Sequence, residues 1–266
     1  MDLDKVVTRI SQSKKYRDLH EGTIRDICEG LLRDGFSPKE IEKQCRKKLH
    51  NVWQDYLGLP NYKKAKQELE EAFEASDLET VRNACINVMS IHESARERLV
   101  VLSEAYYQRI FEITGVPKIV TDLACAFHPF CFPWMNLPKE VQYNAYDINK
   151  NFVDLINHYF ALESIQPLAH WQDIYSNPPE QHADVAFLFK MYHCLDHRKK
   201  GSGLEIIRNT KTDWMVISFP LQNLRGAKMI MYDRYSQPIE QLVESEGWSM
   251  HRLEFENEWL VLIHKA

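Results

Sequence analysis

The chain has 266 residues, 44% of them hydrophobic and 11% aromatic, and a formal net charge of −5 at pH 7. That is apolar material for a packed core in one large domain or two smaller ones, and it excludes a disordered or low-complexity protein. No run of about 18 apolar residues appears, and the opening "MDLDKVVTRI" lacks the apolar stretch of a secretory signal, so a soluble cytoplasmic protein with no membrane partner is expected.

Charge is unevenly spread: residues 1–50 hold 12 Lys+Arg against 9 Asp+Glu, and the other 216 hold 21 against 29. An acidic chain does not bind nucleic acid indiscriminately, and DNA is not expected as a partner, but its basic charge is gathered at the front. Cys28, Cys45, Cys85, Cys125, Cys131 and Cys194 show neither a CxxC pair nor a disulfide spacing, which predicts reduced core thiols.

Taken in order, the patterns are helical up to about residue 116. "SKKYRDL" (13–19) supplies Lys14, Lys15 and Arg17. "SPKEIEKQCRKKLHNVWQDYL" then opens with Ser37 as N-cap, Pro38 at the first helical position and Glu40 completing a capping box. Ile41, Cys45, Leu49, Val52 and Trp53 form its apolar stripe, and Lys39, Lys43, Arg46, Lys47 and Lys48 a basic face. "NYKKAKQ" (61–67) adds Lys63, Lys64 and Lys66, giving three basic clusters that can track a phosphate backbone. "DLETVRNACINVMSIH" and "SARERLVVLSEAYYQRIFEITG" continue the helices, with Gly115 as the stop and Pro117 preventing continuation.

From there short apolar runs alternate with helix-length segments: 118–124, 141–147, 165–173, 184–190 and 213–219 read as strands of a parallel sheet. "GWSMHRLEFENEWLVLIHK" reads as two strands joined tightly, hence antiparallel. The expected fold is α/β, a Rossmann-like class I methyltransferase domain (117–266) with a terminal antiparallel hairpin, preceded by an all-helical N-terminal domain (1–116).

In such sheets the ligand lies beyond the carboxyl ends of the strands, nearest the turn after the first. Here that turn is "DLACAFHPF" (122–130). Ala124 and Ala126 are small enough to let the backbone approach a ligand, but alanine avoids positive φ, so ordinary backbone angles are expected. Asp147 closes the second strand, where a carboxylate can accept from both ribose hydroxyls; Asp173 closes the third, where it can accept from an adenine amine. Three strand-end acids, Asp122, Asp147 and Asp173, with no GxGxxG and no GxxxxGK[ST], favour a nucleoside cofactor without phosphates, and S-adenosylmethionine fits.

"SKKY" (13–16), "KKLH" (47–50), "HESARER" (92–98), "DLACAFHPF" (122–130), "YDI" (146–148), "LFK" (188–190) and "SFPLQNLRG" (218–226) together resemble the aminoglycoside-resistance methyltransferases that modify N7 of a guanine in the decoding site of 16S ribosomal RNA. The resemblance spans nearly the whole chain. It implies that Arg98 meets the methionine carboxylate, that Ala124, Cys125, Ala126, His128 and Pro129 wrap the methionyl part, that Asp147 holds the ribose, that Ile148 contributes to the cofactor site, that Asp173 and Ile174 bracket adenine, and that Lys190 and Met191 line the cofactor and target pocket. This chain departs from the family in having His128-Pro129 for Asn-Pro and Ala95 for Thr, and a loop after "LRG" that keeps only Met231 and Tyr235 in step.

Guanine N7 carries a free lone pair, so the reaction needs positioning and no general base. Phe219, Met231 and Tyr235 are candidates to hold the base. Lys14, Lys15, Arg46, Lys47, Lys48, Lys63, Lys64, Arg225 and Lys228 are candidates to meet phosphates of the 16S rRNA in an assembled 30S subunit. The protein is expected to be a monomer. His193 and His197, four residues apart, share a helix face with Cys194 next in sequence, but no fourth ligand lies nearby, and no metal is expected. A catalytically impaired RNA-binding homologue, and a methyltransferase for another RNA or a small molecule, are the competing readings.

Overall fold

The computed structural model describes residues 3–53, 61–166, 168–221 and 231–265. Seven helices among these residues precede the first strand: α1 (Leu3–Ser11), α2 (Glu21–Arg33), α3 (Pro38–Trp53), α4 (Tyr62–Glu74), α5 (Leu78–Met89), α6 (Glu93–Arg98) and α7 (Glu104–Thr114). The start of α3 is fixed as its sequence predicts: Glu40 Oε2 accepts from the backbone N–H of Ser37 at 2.9 Å and from its hydroxyl at 2.5 Å. Ile41, Cys45 and Leu49 are fully buried; the side chains of Val52 and Trp53 lie outside the described residues. Gly115 ends α7 at φ +75°, an angle that glycine adopts without penalty.

The strands are β1 (Ile119–Leu123), β2 (Gln142–Asp147), β3 (Ala169–Trp171), β4 (Ala183–Phe189), β5 (Thr212–Pro220), β6 (Ser249–Glu254) and β7 (Glu258–His264). Their order is β3-β2-β1-β4-β5-β7-β6; β1 to β5 pair in parallel, and β7 runs antiparallel to both β5 and β6. The Rossmann-like expectation therefore holds, with β7 of the terminal hairpin inserted between β5 and β6. Between strands lie α8 (Phe132–Met135), α9 (Lys150–Leu162), α10 (Tyr192–Arg198), α11 (Ser202–Asn209) and α12 (Met231–Glu246). The run 191–209, which reads as one helix-length segment, is broken into α10 and α11 where Gly201 turns at φ +86°.

β4 shows why its sequence is nearly all apolar. Val185, Phe187 and Phe189 join the cluster on one face of the sheet and Ala186 and Leu188 that on the other, as expected for a parallel strand covered by helices on both sides. The first cluster also takes in Leu69, Cys85, Met89, Tyr107 and Ile110 from α4, α5 and α7. By contrast, α1 to α3 enclose a cluster of their own, from Val6 and Ile10 through Ile24 and Leu31 to Leu49, and Ile148 from beyond β2 packs against it. The unbroken run of helices ends before β1, whereas the apolar core divides earlier, after α3. All six cysteines are buried and free, and no helix of the described residues is long and apolar enough to cross a membrane.

Candidate active site

A pocket opens at the carboxyl ends of β1 to β4, between the strands whose connections wind in opposite directions. Its floor is the turn after β1. Ala124 and Ala126 adopt φ +51° and +45°, so the expectation of ordinary angles fails. The turn is held from outside: Cys125 N–H donates to the carbonyl of Tyr146 at 2.9 Å, and Ala126 N–H to Asp147 Oδ2 at 3.0 Å. Each left-handed alanine costs about 1–2 kcal/mol, which these bonds and the packing around them offset.

Asp147 is buried at the pocket wall. Its Oδ1 accepts from Asn149 N–H at 2.7 Å and its Oδ2 from Ala126 N–H, which leaves about two of a carboxylate's four acceptor positions for a ligand such as a ribose diol. Burial, opposed by those backbone bonds, pushes its pKa up to about 6.

His128 lines the same pocket but works structurally. Asp122 can only accept, so His128 Nδ1 donates to Asp122 Oδ2 (2.8 Å), and the hydroxyl of Tyr107 then donates to Nε2 (3.0 Å). Tyr143 also donates to Asp122 Oδ2, at 2.9 Å. Burial lowers the His128 pKa despite the neighbouring carboxylate, so the ring is a neutral brace under the turn. Pro129, the next residue, is buried in the following 3₁₀ turn and does not line the pocket.

Arg98 reaches the pocket from the end of α6, only 3% exposed, while Arg96 on the same helix is exposed and pairs with Glu93. Arg98 Nη1 donates to Tyr106 (2.9 Å) and to Glu258 Oε1 (3.2 Å), and Tyr106 donates to the same carboxylate oxygen at 2.7 Å. Burial disfavours the Glu258 charge, but Arg98 and Lys190 outweigh it and keep the carboxyl below its usual range. This internal counter-ion, 160 residues from Arg98 in sequence, gave no signal in any local pattern. Lys190 sits at φ +57°, donates its N–H to Ser218 Oγ at 3.0 Å and its ammonium to Glu97 at 2.8 Å. Met191 lines the pocket beside it. His92, Phe127, Phe152 and Phe189 complete this wall and were not anticipated; burial, with Lys190 nearby, pushes His92 down to about 4.

Asp173 corrects the sequence reading. It lines the pocket with Ile174, but Oδ2 accepts from Thr23 (2.5 Å) and Arg198 (2.7 Å), and Oδ1 from the N–H groups of Tyr175 (2.9 Å) and Ser176 (3.2 Å). All four acceptor positions are taken, leaving none for an adenine amine. Arg198, another lining residue missed in sequence, had been hidden in the basic run "HRKKG".

Phe219 is corrected too. It is 1% exposed, stacked on Trp259 at 4.6 Å between ring centroids and tilted against Tyr192, so it belongs to the core rather than the pocket surface. The side chains of Met231 and Tyr235, and Arg225 and Lys228 altogether, lie outside the described residues. His193 and His197 lie 6.3 Å apart between ring centroids, and no group of metal-ligating side chains occurs among the described residues.

The basic candidates of "SKKY" and α3 come together. Tyr16 donates to the carbonyl of Arg46, Arg46 lies 5.8 Å over the Tyr16 ring, and Lys15 lies 5.3 Å over that ring. Lys14, Lys15 and Lys47 are exposed and Lys48 is half-buried, while Arg46 is partly engaged by Glu42 at 3.1 Å. Lys63 and Lys64 are exposed on α4, which packs on α5 and α9 instead.

Residues 12–263 match the model of the FmrO family, described as ribosomal RNA methyltransferase. The chain is 31% identical over 275 residues to a 16S rRNA (guanine(1405)-N(7))-methyltransferase of Proteus mirabilis, covering 99% of this chain and 97% of the relative. A protein of the same name from Micromonospora echinospora is 30% identical, again covering 99% of this chain and 97% of its own. The solved structure of the 16S rRNA methyltransferase RmtF in complex with S-adenosyl-L-homocysteine aligns with a TM-score of 0.82 at 25% identity, over 100% of both chains. A match over nearly the whole length, on top of the sheet order and the pocket at its carboxyl edge, means that this chain belongs to the FmrO family of ribosomal RNA methyltransferases.

Proposed function

We propose that this protein transfers the methyl group of S-adenosylmethionine to N7 of a guanine in the decoding site of 16S ribosomal RNA, acting in the cytoplasm as a monomer on the assembled 30S subunit and so conferring aminoglycoside resistance. One observation carries the reading: Asp147 stands at the carboxyl end of β2 with about two acceptor positions open, beside a turn whose backbone comes close enough to bond it. Bound there, S-adenosylmethionine supplies a methyl group on a positively charged sulfur. Asp147 holds the ribose, Arg98 meets the methionine carboxylate, and Ile148, Ile174 and Leu195 give adenine an apolar slot. N7 uses its own lone pair, so no residue need remove a proton. His128 fits that requirement, since Asp122 and Tyr107 already engage both of its ring nitrogens. The guanine leaves its stack to reach the pocket, at a cost of a few kcal/mol, and Met231 and Tyr235 are the candidates to receive it. Lys14, Lys15, Arg46, Lys47 and Lys48, with Lys63 and Lys64, track the RNA phosphates.

The test is incubation of purified 30S subunits with the protein and methyl-labelled cofactor, followed by mapping of N7-methylguanine in the 16S rRNA. Label at one decoding-site guanine, with raised tolerance of 4,6-disubstituted aminoglycosides in cells expressing the protein, is the expected result. Label elsewhere, or none, overturns it.

A further inference from the structure

The α1–α3 unit has its own apolar core, and among the described residues it meets the sheet at the adenosine end of the pocket, with α3 also packing on α10. Leu19 forms a β-bridge with Asn149; His20 N–H donates to the carbonyl of Ile148 and Lys150 N–H to that of Asp18, both at 2.8 Å. Ile148 lines the pocket and also packs on the α1–α3 core. Across the seam, a Cβ on Gly22 in the first turn of α2 would stand 3.5 Å from Ser176 Oγ, ordinary van der Waals contact.

At the centre of this seam is a buried charge cluster. Arg198 donates through Nε (2.9 Å) and Nη2 (2.7 Å) to Asp26 on α2, and through Nη1 (2.7 Å) to Asp173, which also takes the hydroxyl of Thr23 from α2. The Arg198 and Asp173 side chains are 7% and 1% exposed, and Asp26 25%. Arg198 and Asp173 line the pocket; Asp26 and Thr23 do not. A guanidinium shared between two carboxylates in a fixed fork has its position set by both of them.

We propose that Asp26 and Thr23 are positioning residues for the cofactor: through Arg198 and Asp173 the helical unit that carries the basic surface holds the adenosine end of the pocket in shape. This rests on the cofactor reading above. Linkage is reciprocal, so a filled pocket in turn steadies the α1–α3 unit and the surface it presents to RNA.

The test titrates S-adenosylhomocysteine calorimetrically into the whole protein and its Asp26→Asn and Asp26→Glu variants, well below their melting temperatures. Asp26→Asn is expected to weaken binding about tenfold by losing a charge-assisted fork, and Asp26→Glu to recover most of it. Hydrogen exchange supplies a readout that a purely structural role would not move: ligand should slow exchange in α2 of the wild type, and less so in Asp26→Asn. If Asp26→Asn does not fold, Thr23→Val, which removes only a hydroxyl donor, should weaken binding about threefold. Unchanged affinity in a folded variant, with or without lost stability, overturns the proposal. Wild-type protein that binds no S-adenosylhomocysteine instead overturns the cofactor reading beneath it.

Discussion

Asp147 and Asp173 put carboxylates at the carboxyl edge of the sheet, beyond neighbouring strands and 7% and 1% exposed. In sequence they are the same feature, an acid that follows an apolar run. In the structure the first keeps acceptor capacity and borders the turn after β1, whereas the second is filled from four sides, two of them reached through α2 and α10. A strand-end acid therefore marks a ligand site only when the rest of the chain leaves it hydrogen-bonding capacity, and that is decided by residues distant in sequence.

The largest expected effect tests the filled end. Asp173→Ala leaves the Thr23 hydroxyl, two backbone N–H groups and part of the Arg198 guanidinium without partners, and should cost about 3 kcal/mol of folding stability, read by chemical denaturation. A variant that kept its stability would erase the contrast, because it would mean that these four donors do not depend on Asp173; weaker cofactor binding alongside the lost stability fits its positioning role. At the open end, Asp147→Ala should act on the ligand directly. Losing hydrogen bonds to a charged acceptor, each worth about 1.5–3 kcal/mol, weakens S-adenosylhomocysteine binding at least about tenfold. Calorimetry that finds wild-type affinity in the folded variant would remove the ribose assignment.

The pH dependence of binding sharpens the same point. Burial holds Asp147 near a pKa of about 6, above the ordinary aspartate value. The shift favours the protonated form in the fold, so the stability it contributes is present at low pH and is lost as pH rises through about 6. Ribose hydroxyls need the ionised acceptor, so cofactor affinity runs the other way and rises over that window. At pH 5 only about one tenth of the carboxyl is ionised, which predicts roughly tenfold weaker binding than at pH 7.5. Asp147→Ala should flatten the profile; a profile unaltered by that change would assign the titration to another group.

What could be read from the sequence follows the reach of each interaction. The parallel strands, the capped start of α3 and the stop at Gly115 are written in patterns a few residues long, and each is found where expected. The turn from Ala124 to His128 and the strand end from Asp147 to Ile148, read from equally short patterns, both line the pocket. Glu258 behind Arg98, and Asp26 behind Arg198, were not legible: they lie 160 and 172 residues from their partners and join them only through the fold. Phe219 failed for a related reason, because a strand-end aromatic looks alike whether it faces a ligand or Trp259. The apolar clusters teach the same lesson, since seven successive helices look uniform in sequence while only the first three enclose a separate core.

The smallest effect concerns backbone strain, which also separates the two ends. Ala124, Ala126 and Lys190, at φ +51°, +45° and +57°, lie at the end of the pocket proposed for methionine and ribose, whereas Ile148, Asp173, Ile174, Leu195 and Arg198, at the proposed adenine end, have ordinary angles. Ala124→Gly and Ala126→Gly remove a left-handed penalty of about 1–2 kcal/mol. Against this stand the greater freedom of glycine in the unfolded chain, about 0.5–1 kcal/mol, and the loss of a half-buried methyl. The balance favours glycine by about 0.5 kcal/mol per site, seen as a small rise in denaturation midpoint with an unchanged slope. Hydrogen bonds from Ala126 N–H to Asp147 and from Cys125 N–H to Tyr146 hold the turn in place either way, so cofactor affinity should stay within about twofold of wild type. A lowered midpoint would show that the alanine methyls contribute more to packing than their backbone angles cost.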